Sequence, residues 1–293
     1  MYLHGTSRIN EKGHLEIGGC DTVQLAREFG TPLYVYDEQL IRENCRAFVE
    51  AFQTTGFSFQ VAYASKAFCT MAICRLVAEE GLSLDVVSAG ELYTALKAGY
   101  PAERIHFHGN NKSPEELAMA LEAGIGCFVA DNFYELEMLN LLAKERGQTA
   151  VVLLRITPGV EAHTHEYIAT GQQDSKFGLD IQSGQALEAV RRCLQAEALD
   201  LLGVHCHIGS QIFETEGFVA AVVQVAQFLQ TVREECGYTA RVVNLGGGYG
   251  IRYVEGDTPR TPAHYINAIT QAVRTEFAQR QLPLPELWIE PGR

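Results

Sequence analysis

The sequence has no Cys-x-x-Cys pair, no surplus of positive charge, and no run approaching the ~20 apolar residues of a membrane-spanning helix. Each absence excludes something. Eight cysteines stand at 20, 45, 69, 74, 127, 193, 206 and 236, without the paired spacings of a zinc site, so they read as reduced thiols. The formal net charge is −13. Nucleic acid and anionic membranes are both held through cationic surface, so neither is expected as a partner. The opening Met1-Tyr-Leu-His-Gly-Thr-Ser-Arg8 lacks the basic-then-apolar order of a secretory signal, which makes the cytoplasm the expected compartment. No internal repeat or low-complexity tract interrupts the chain.

What is present is a chain of 293 residues, 47% hydrophobic and 20% charged, enough apolar material for one large core. Eight short apolar, β-branched runs alternate with amphipathic helical stretches: Phe59 to Ser65, Leu82 to Val87, Arg104 to Gly109, Gly126 to Ala130, Ala150 to Ile156, Leu201 to Ile208, Arg241 to Leu245 and Glu286 to Glu290. Seven helical segments lie between them. Strict alternation predicts parallel βαβ units. Eight strands favour closure into an α/β (β/α)8 TIM-type barrel over a doubly wound sheet, which usually has fewer strands and a glycine fingerprint after the first. Ser113-Pro-Glu-Glu116 carries a cap, a first-turn proline and early carboxylates, and Asp131 is a similar cap candidate.

Polar residues gather at the C-terminal ends of these runs: Lys66, Asp85, His108 with Asn110, Asp131, Arg155, His205 with His207, Gly246 to Gly248, and Glu290. That is the face where such barrels keep their active sites. Residues 1–36 form an N-terminal segment with a strand at His14 to Ile17, a helix from Asp21 to Phe29 and a strand at Leu33 to Tyr36. The barrel is expected over residues 37–293. Because the sequence ends at Arg293, directly after the eighth run, the barrel is expected to lack its last helix. One wall is then expected to expose apolar strand surface, as in a piece of a longer protein.

Four features carry chemistry. Lys66 projects from the mouth of the first strand, where desolvation between barrel walls lowers an amine's pKa and suits it to imine formation. Asn244-Leu-Gly-Gly-Gly-Tyr-Gly250 follows the seventh strand, and its glycines let backbone N–H groups approach a phosphate. Ile251 stands where a dinucleotide fingerprint needs glycine. Glu290-Pro-Gly-Arg293 sets a carboxylate, a glycine N–H and a guanidinium at the eighth strand's mouth, and a carboxylate beside a pyridine nitrogen keeps that ring an electron sink. His205 and His207 share one face of the sixth strand by period two. They could share zinc, but no third ligand lies nearby in sequence, and no metal is expected. Taken alone, Lys66 reads rather as a solvated lysine at a strand end, the glycine run as well as a flexible turn, and Glu290-Pro-Gly-Arg293 rather as a proline-terminated strand with a surface ion pair. Together they specify pyridoxal phosphate.

Ala62-Tyr-Ala-Ser-Lys66, His205-Cys-His-Ile-Gly-Ser210, Gly246-Gly-Gly248 and Glu290-Pro-Gly-Arg293 resemble, in order and spacing, the barrel-type (fold-type III) pyridoxal-phosphate decarboxylases. Leu84-Asp-Val-Val-Ser88 with Glu91-Leu92, His108-Gly-Asn-Asn-Lys112-Ser113, Leu154-Arg-Ile-Thr-Pro-Gly159, Pro158-Gly-Val-Glu-Ala-His-Thr-His165, Asp174-Ser-Lys-Phe-Gly178 and the opening His4-Gly-Thr6 are similar to the diaminopimelate decarboxylase branch. The resemblance covers essentially the whole chain. It implies that Lys66 carries the cofactor aldehyde, His207 stacks on the ring and Glu290 pairs with the ring nitrogen, these being the catalytic residues. It further implies that Ser210, Gly246, Gly247, Gly248, Pro291, Gly292 and Arg293 surround the phosphate, that Asp85 and Arg155 line the pocket, and that His108 and the Arg293 side chain meet substrate. The implied reaction is decarboxylation of meso-diaminopimelate to L-lysine by a homodimer. Arginine, ornithine or carboxynorspermidine decarboxylation and a catalytically silent cofactor binder stay open beside it. The family continues beyond this point into a C-terminal β domain, which carries a Cys-Glu segment and a catalytic tyrosine, and which residues 1–36 join.

Overall fold

The computed structural model describes residues 3–160 and 176–293. The stretches Glu161 to His165 and Asp174-Ser175, which belong to two of the motifs above, lie outside the described residues. The chain opens with a small antiparallel sheet, β1 (Arg8–Ile9), β2 (Leu15–Ile17) and β3 (Cys20–Asp21), followed by α1 (Thr22–Phe29). Asp21 caps α1 by accepting the Val23 and Gln24 amides. Leu33 to Tyr36 forms no strand. Extended backbone becomes a strand only against a partner edge, and here the segment runs along the surface with Tyr34 89% exposed.

Then α2 (Glu38–Gln53) leads into β4 (Phe59–Ala64), α3 (Met71–Glu79), β5 (Ser83–Val86), α4 (Ala89–Lys97), β6 (Ile105–Phe107), α5 (Pro114–Ala123), β7 (Cys127–Ala130), α6 (Phe133–Glu145) and β8 (Ala150–Thr157). A short β9 (Leu179–Asp180) pairs in parallel beside the end of β8, and the chain continues through α7 (Gln185–Gln195), β10 (Leu199–His205), α8 (Glu216–Cys236), β11 (Val242–Asn244), α9 (Pro262–Gln279) and β12 (Glu286–Ile289). Strands β4-β5-β6-β7-β8-β10-β11-β12 pair in parallel, and β12 returns to β4 through Leu287 beside Phe59 and Ile289 beside Val61. The barrel is closed.

The open wall expected at the end of the barrel is not found. Helix α2, which precedes the first barrel strand and was not counted among the seven connecting helices, packs between α9 and α3 and covers that gap. Its Phe52 is 0% exposed and stacks on Phe59 of β4, with ring centroids 4.9 Å apart. Beneath it Leu287 and Ile289 of β12 are fully buried. At α5 the expected cap is present as a full capping box, Ser113 with Glu116, and Pro114 occupies the first turn. At α6 the cap is one residue further along than expected: Asn132 accepts the Glu135 amide, which leaves Asp131 facing the barrel mouth.

Inside the barrel, Cys127, Val129, Leu153, Val242 and Trp288 form a packed inner layer with Leu202 against it, and His106 stacks on Trp288 at 4.4 Å. The barrel is therefore plugged below and polar above. Among the described residues no helix is long and apolar enough to cross a membrane. Phe52→Ala, which deletes the ring that seats α2, is expected to cost about 3–5 kcal/mol; urea unfolding checks this, and a loss under about 1 kcal/mol contradicts α2 as an integral barrel helix.

Candidate active site

The C-terminal ends of the strands open into one cavity of about 1230 Å³, lined by Lys66, Asp85, His108, Arg155, His205, His207, Ser210, Gly247, Gly248, Glu290, Pro291, Gly292 and Arg293. Small-molecule sites run to roughly 300–1,000 Å³, so there is room for a cofactor and a substrate together. The predicted site residues are thus brought to one place, with one exception. Gly246 is buried beneath the cavity, where its amide donates to Asn244 Oδ1 at 2.9 Å and its carbonyl accepts from the Glu290 amide at 2.8 Å.

Glu290 is the floor. It leaves β12 with its carboxylate turned to the barrel axis, 8% exposed. Oε1 accepts the Asn244 side-chain N–H at 2.6 Å, and Oε2 accepts His205 Nε2 at 3.1 Å. His108 Nε2 lies 3.2 Å from Oε1 and 3.5 Å from Asp85 Oδ1, off line for a hydrogen bond to either, so it acts there through charge. His106 Nδ1 lies 3.5 Å from the same Asp85 oxygen. Burial alone pushes the Glu290 carboxyl up, but the electrostatic pull of His108 first and then of His205, with the His205 hydrogen bond, outweighs it and holds Glu290 well below the ordinary range. Burial would strip the His108 proton, yet Glu290 and then Asp85 pull its pKa up to about 9. His205 goes the other way, because burial outweighs the pull of Glu290. At neutral pH the floor therefore holds an ionised Glu290, a cationic His108 and a neutral His205 donating a hydrogen bond.

Sequence reasoning passed over Asn244 and gave His205 no role. Both stand inside motifs already singled out, and the signal for them is period two: His205 faces the axis as an inward residue of β10, as Asn244 does on β11. His108 lines the cavity floor, 6% exposed and set between two carboxylates, with Asp85 and Glu290 as its neighbours there.

His207 sits above. Burial lowers its pKa to about 4, with the nearby Lys66 charge adding to the effect. The ring is neutral, and its Nδ1 accepts the Gly247 amide at 3.4 Å, near the limit of a hydrogen bond. A neutral imidazole face can lie against an electron-poor aromatic ring. The glycine run is glycine for two reasons. Gly246 and Gly248 have φ of +68° and +98°, and a Cβ on Gly247 would lie 1.9 Å from the Glu290 carbonyl oxygen, one on Gly248 2.1 Å from that of Gly209. The run is pressed against the loops after β10 and β12, so any anion there meets backbone rather than side chains.

Lys66 follows β4 in a turn at Ser65–Ala67 and is exposed to the cavity. The Arg293 guanidinium donates to the Tyr253 hydroxyl at 2.6 Å. Further out, Arg155 of β8 lies 3.8 Å from Asp131 and over the Phe177 ring at 4.4 Å. A buried clamp also fixes the loops after β6 and β7. Lys112 Nζ donates to the Gly109 and Val129 carbonyls at 2.8 Å and to Glu135 Oε1 at 2.6 Å, and Glu135 Oε2 accepts the Asp131 amide at 3.0 Å.

His108, His205 and Glu290 have ligand atoms within 4.8 Å of one another and could bracket a cation. A metal there would have to displace the His108 proton and the Asn244 donor. A protonated pyridine nitrogen needs only the acceptor that Glu290 already presents. The donor set, the neutral imidazole and the backbone-lined glycine loop therefore fit pyridoxal phosphate.

These features define a pyridoxal-phosphate enzyme on a parallel α/β barrel, and the chain belongs to the family described as "Pyridoxal-dependent decarboxylase, pyridoxal binding domain", matched over residues 38–293. Relatives include the diaminopimelate decarboxylase of Halalkalibacterium halodurans, 60% identical over all of this chain and 67% of that protein. That of Bacillus subtilis is 59% identical over the same shares. The crystal structure of the diaminopimelate decarboxylase from M. jannaschii superposes with a TM-score of 0.91 at 42% identity, over 98% of this chain and 66% of that one. A second structure of that enzyme is a co-complex with L-lysine. The chain thus spans about two thirds of the length of the relatives it matches.

Lys112→Met leaves Glu135 buried without its cation and is expected to cost about 3–5 kcal/mol, and removing the exposed Arg192 from its pair with Glu188 is expected to cost clearly less. Paired chemical-denaturation curves check the contrast; equal losses contradict it.

Proposed function

We infer that this chain is the cofactor-binding barrel of a diaminopimelate decarboxylase, which releases the 1-carboxylate of meso-diaminopimelate as carbon dioxide and leaves L-lysine. One observation carries the reading: Lys66, His207, Glu290 and Arg293 line a single cavity in a chain 60% identical to an enzyme of that name. Residues 37–293 are the barrel, and residues 1–36 pair with a further β domain through Leu33 to Tyr36. The complete enzyme works as a cytoplasmic homodimer on a small amino-acid substrate.

When bound, pyridoxal phosphate supplies an aldehyde that holds an amine and a protonated ring that draws electrons from the adjoining Cα. The chain's own residues do the rest. Lys66, at the cavity rim, would hold the aldehyde through its Nζ. Glu290 accepts the ring N–H, and Asn244 and His205 fix its carboxylate in place. His207, neutral and lining the same cavity, would lie against the ring. Gly247, Gly248, Ser210, Gly292 and Arg293 would hold the phosphate, with Gly246 supporting the glycine run from beneath and Asp85, Arg155 and Pro291 closing the walls.

Borohydride reduction of the cofactor-loaded protein is expected to leave a pyridoxyl adduct on Lys66, read by peptide mass spectrometry; an adduct elsewhere, or none, sinks the assignment. Glu290→Gln is expected to retain fold and lower turnover of meso-diaminopimelate roughly 10²- to 10³-fold, the loss typical of removing one electrostatic stabiliser. Turnover of arginine or ornithine in place of meso-diaminopimelate points to another substrate, and a labelled but inert protein to a silent cofactor binder.

A further inference from the structure

The floor of the cavity contains more charge than one ring nitrogen requires. Asp85 and Glu290 are both buried, and His108 Nε2 stands between them at 3.5 and 3.2 Å. Every other element packed against Glu290 brings something different. β10 gives His205 as a hydrogen-bond donor, β11 gives the Asn244 amide, and Arg155 on β8 is paired with Asp131. His106 reaches only the far side, 3.5 Å from Asp85. His108 is therefore the one cation lying against both carboxylates among the described residues. The two buried carboxylates thus share one imidazole between them.

We propose that His108 is a positioning residue that keeps Glu290 ionised beneath the pyridine ring, by separating it from Asp85. The inference rests on the reading of Glu290 as the ring-nitrogen partner. Without the imidazolium, Asp85 and Glu290 become like charges in one buried site, and one of them takes up a proton. A protonated Glu290 no longer accepts from the ring nitrogen. Asp85 is then harmful rather than neutral, so neutralising it as well restores Glu290 to the ionised state.

The test uses pyridoxal phosphate labelled with ¹⁵N in the ring, bound to the purified protein and followed by NMR near neutral pH. The wild type is expected to show the shift of a protonated ring nitrogen. His108→Gln, which keeps size and polarity but loses charge, is expected to move it to the unprotonated shift and to weaken cofactor binding about tenfold for each pH unit lowered through the raised carboxylate pKa. The double variant Asp85→Asn, His108→Gln is expected to return the protonated shift. An unchanged shift in His108→Gln overturns the proposal, as does a double variant that behaves like the single one, since packing alone predicts no rescue. Should the single variant fail to fold, the His108 ring of the wild type decides: an imidazolium near neutral pH supports the proposal, and a neutral ring overturns it. Failure of the wild type to bind the cofactor overturns the functional reading itself, which separates the two.

Discussion

Everything at the barrel mouth depends on keeping one carboxylate ionised where there is almost no water. A buried carboxylate ordinarily takes a proton, and Glu290 escapes this only because two strands and one loop end on it. Asn244 comes from β11, His205 from β10, and His108 follows β6. None of these is near Glu290 in sequence. Closure of the barrel between β12 and β4 is what makes the convergence possible, and so fold and site are one constraint.

Closure in turn relies on α2, which arrives before the first strand rather than after the last. By filling the place between α9 and α3 it shields Leu287 and Ile289, the apolar residues of the strand that delivers Glu290. The lower barrel is sealed by Trp288 and its neighbours, so the polar floor rests on a dry layer that excludes water and strengthens each Coulombic contact above it. The Lys112–Glu135 clamp does similar work at the rim. It ties Gly109, Val129 and the Asp131 amide together, and burial pushes the Glu135 carboxyl up even with Lys112 beside it, which is why that pair is costly to break.

Much of this was legible in the chain. The eight barrel strands stand where short β-branched runs predicted them, because strands buried on both faces announce themselves as apolar runs. The chemistry-bearing residues mark the strand ends, because inward side chains at the mouth are the ones a barrel leaves open. Three things were not legible. Helix α2 carries an ordinary amphipathic pattern, but nothing local says that it closes a ring with residues more than two hundred positions away. Leu33 to Tyr36 has strand composition without a partner, and pairing is a tertiary fact. The charge state of His108 depends on Asp85 and Glu290, which only folding brings within reach, so sequence could identify the imidazole as important without naming the carboxylates beside it.

The ionisation of Glu290 is the claim on which the account stands. It is measured directly by ¹³C NMR of the carboxylate in selectively labelled protein, with the Glu290 resonance identified by its loss in Glu290→Gln and followed as pH is lowered. The account predicts a resonance that stays at the carboxylate position throughout the range in which exposed glutamates titrate, about pH 4.3. A midpoint at or above that value contradicts it.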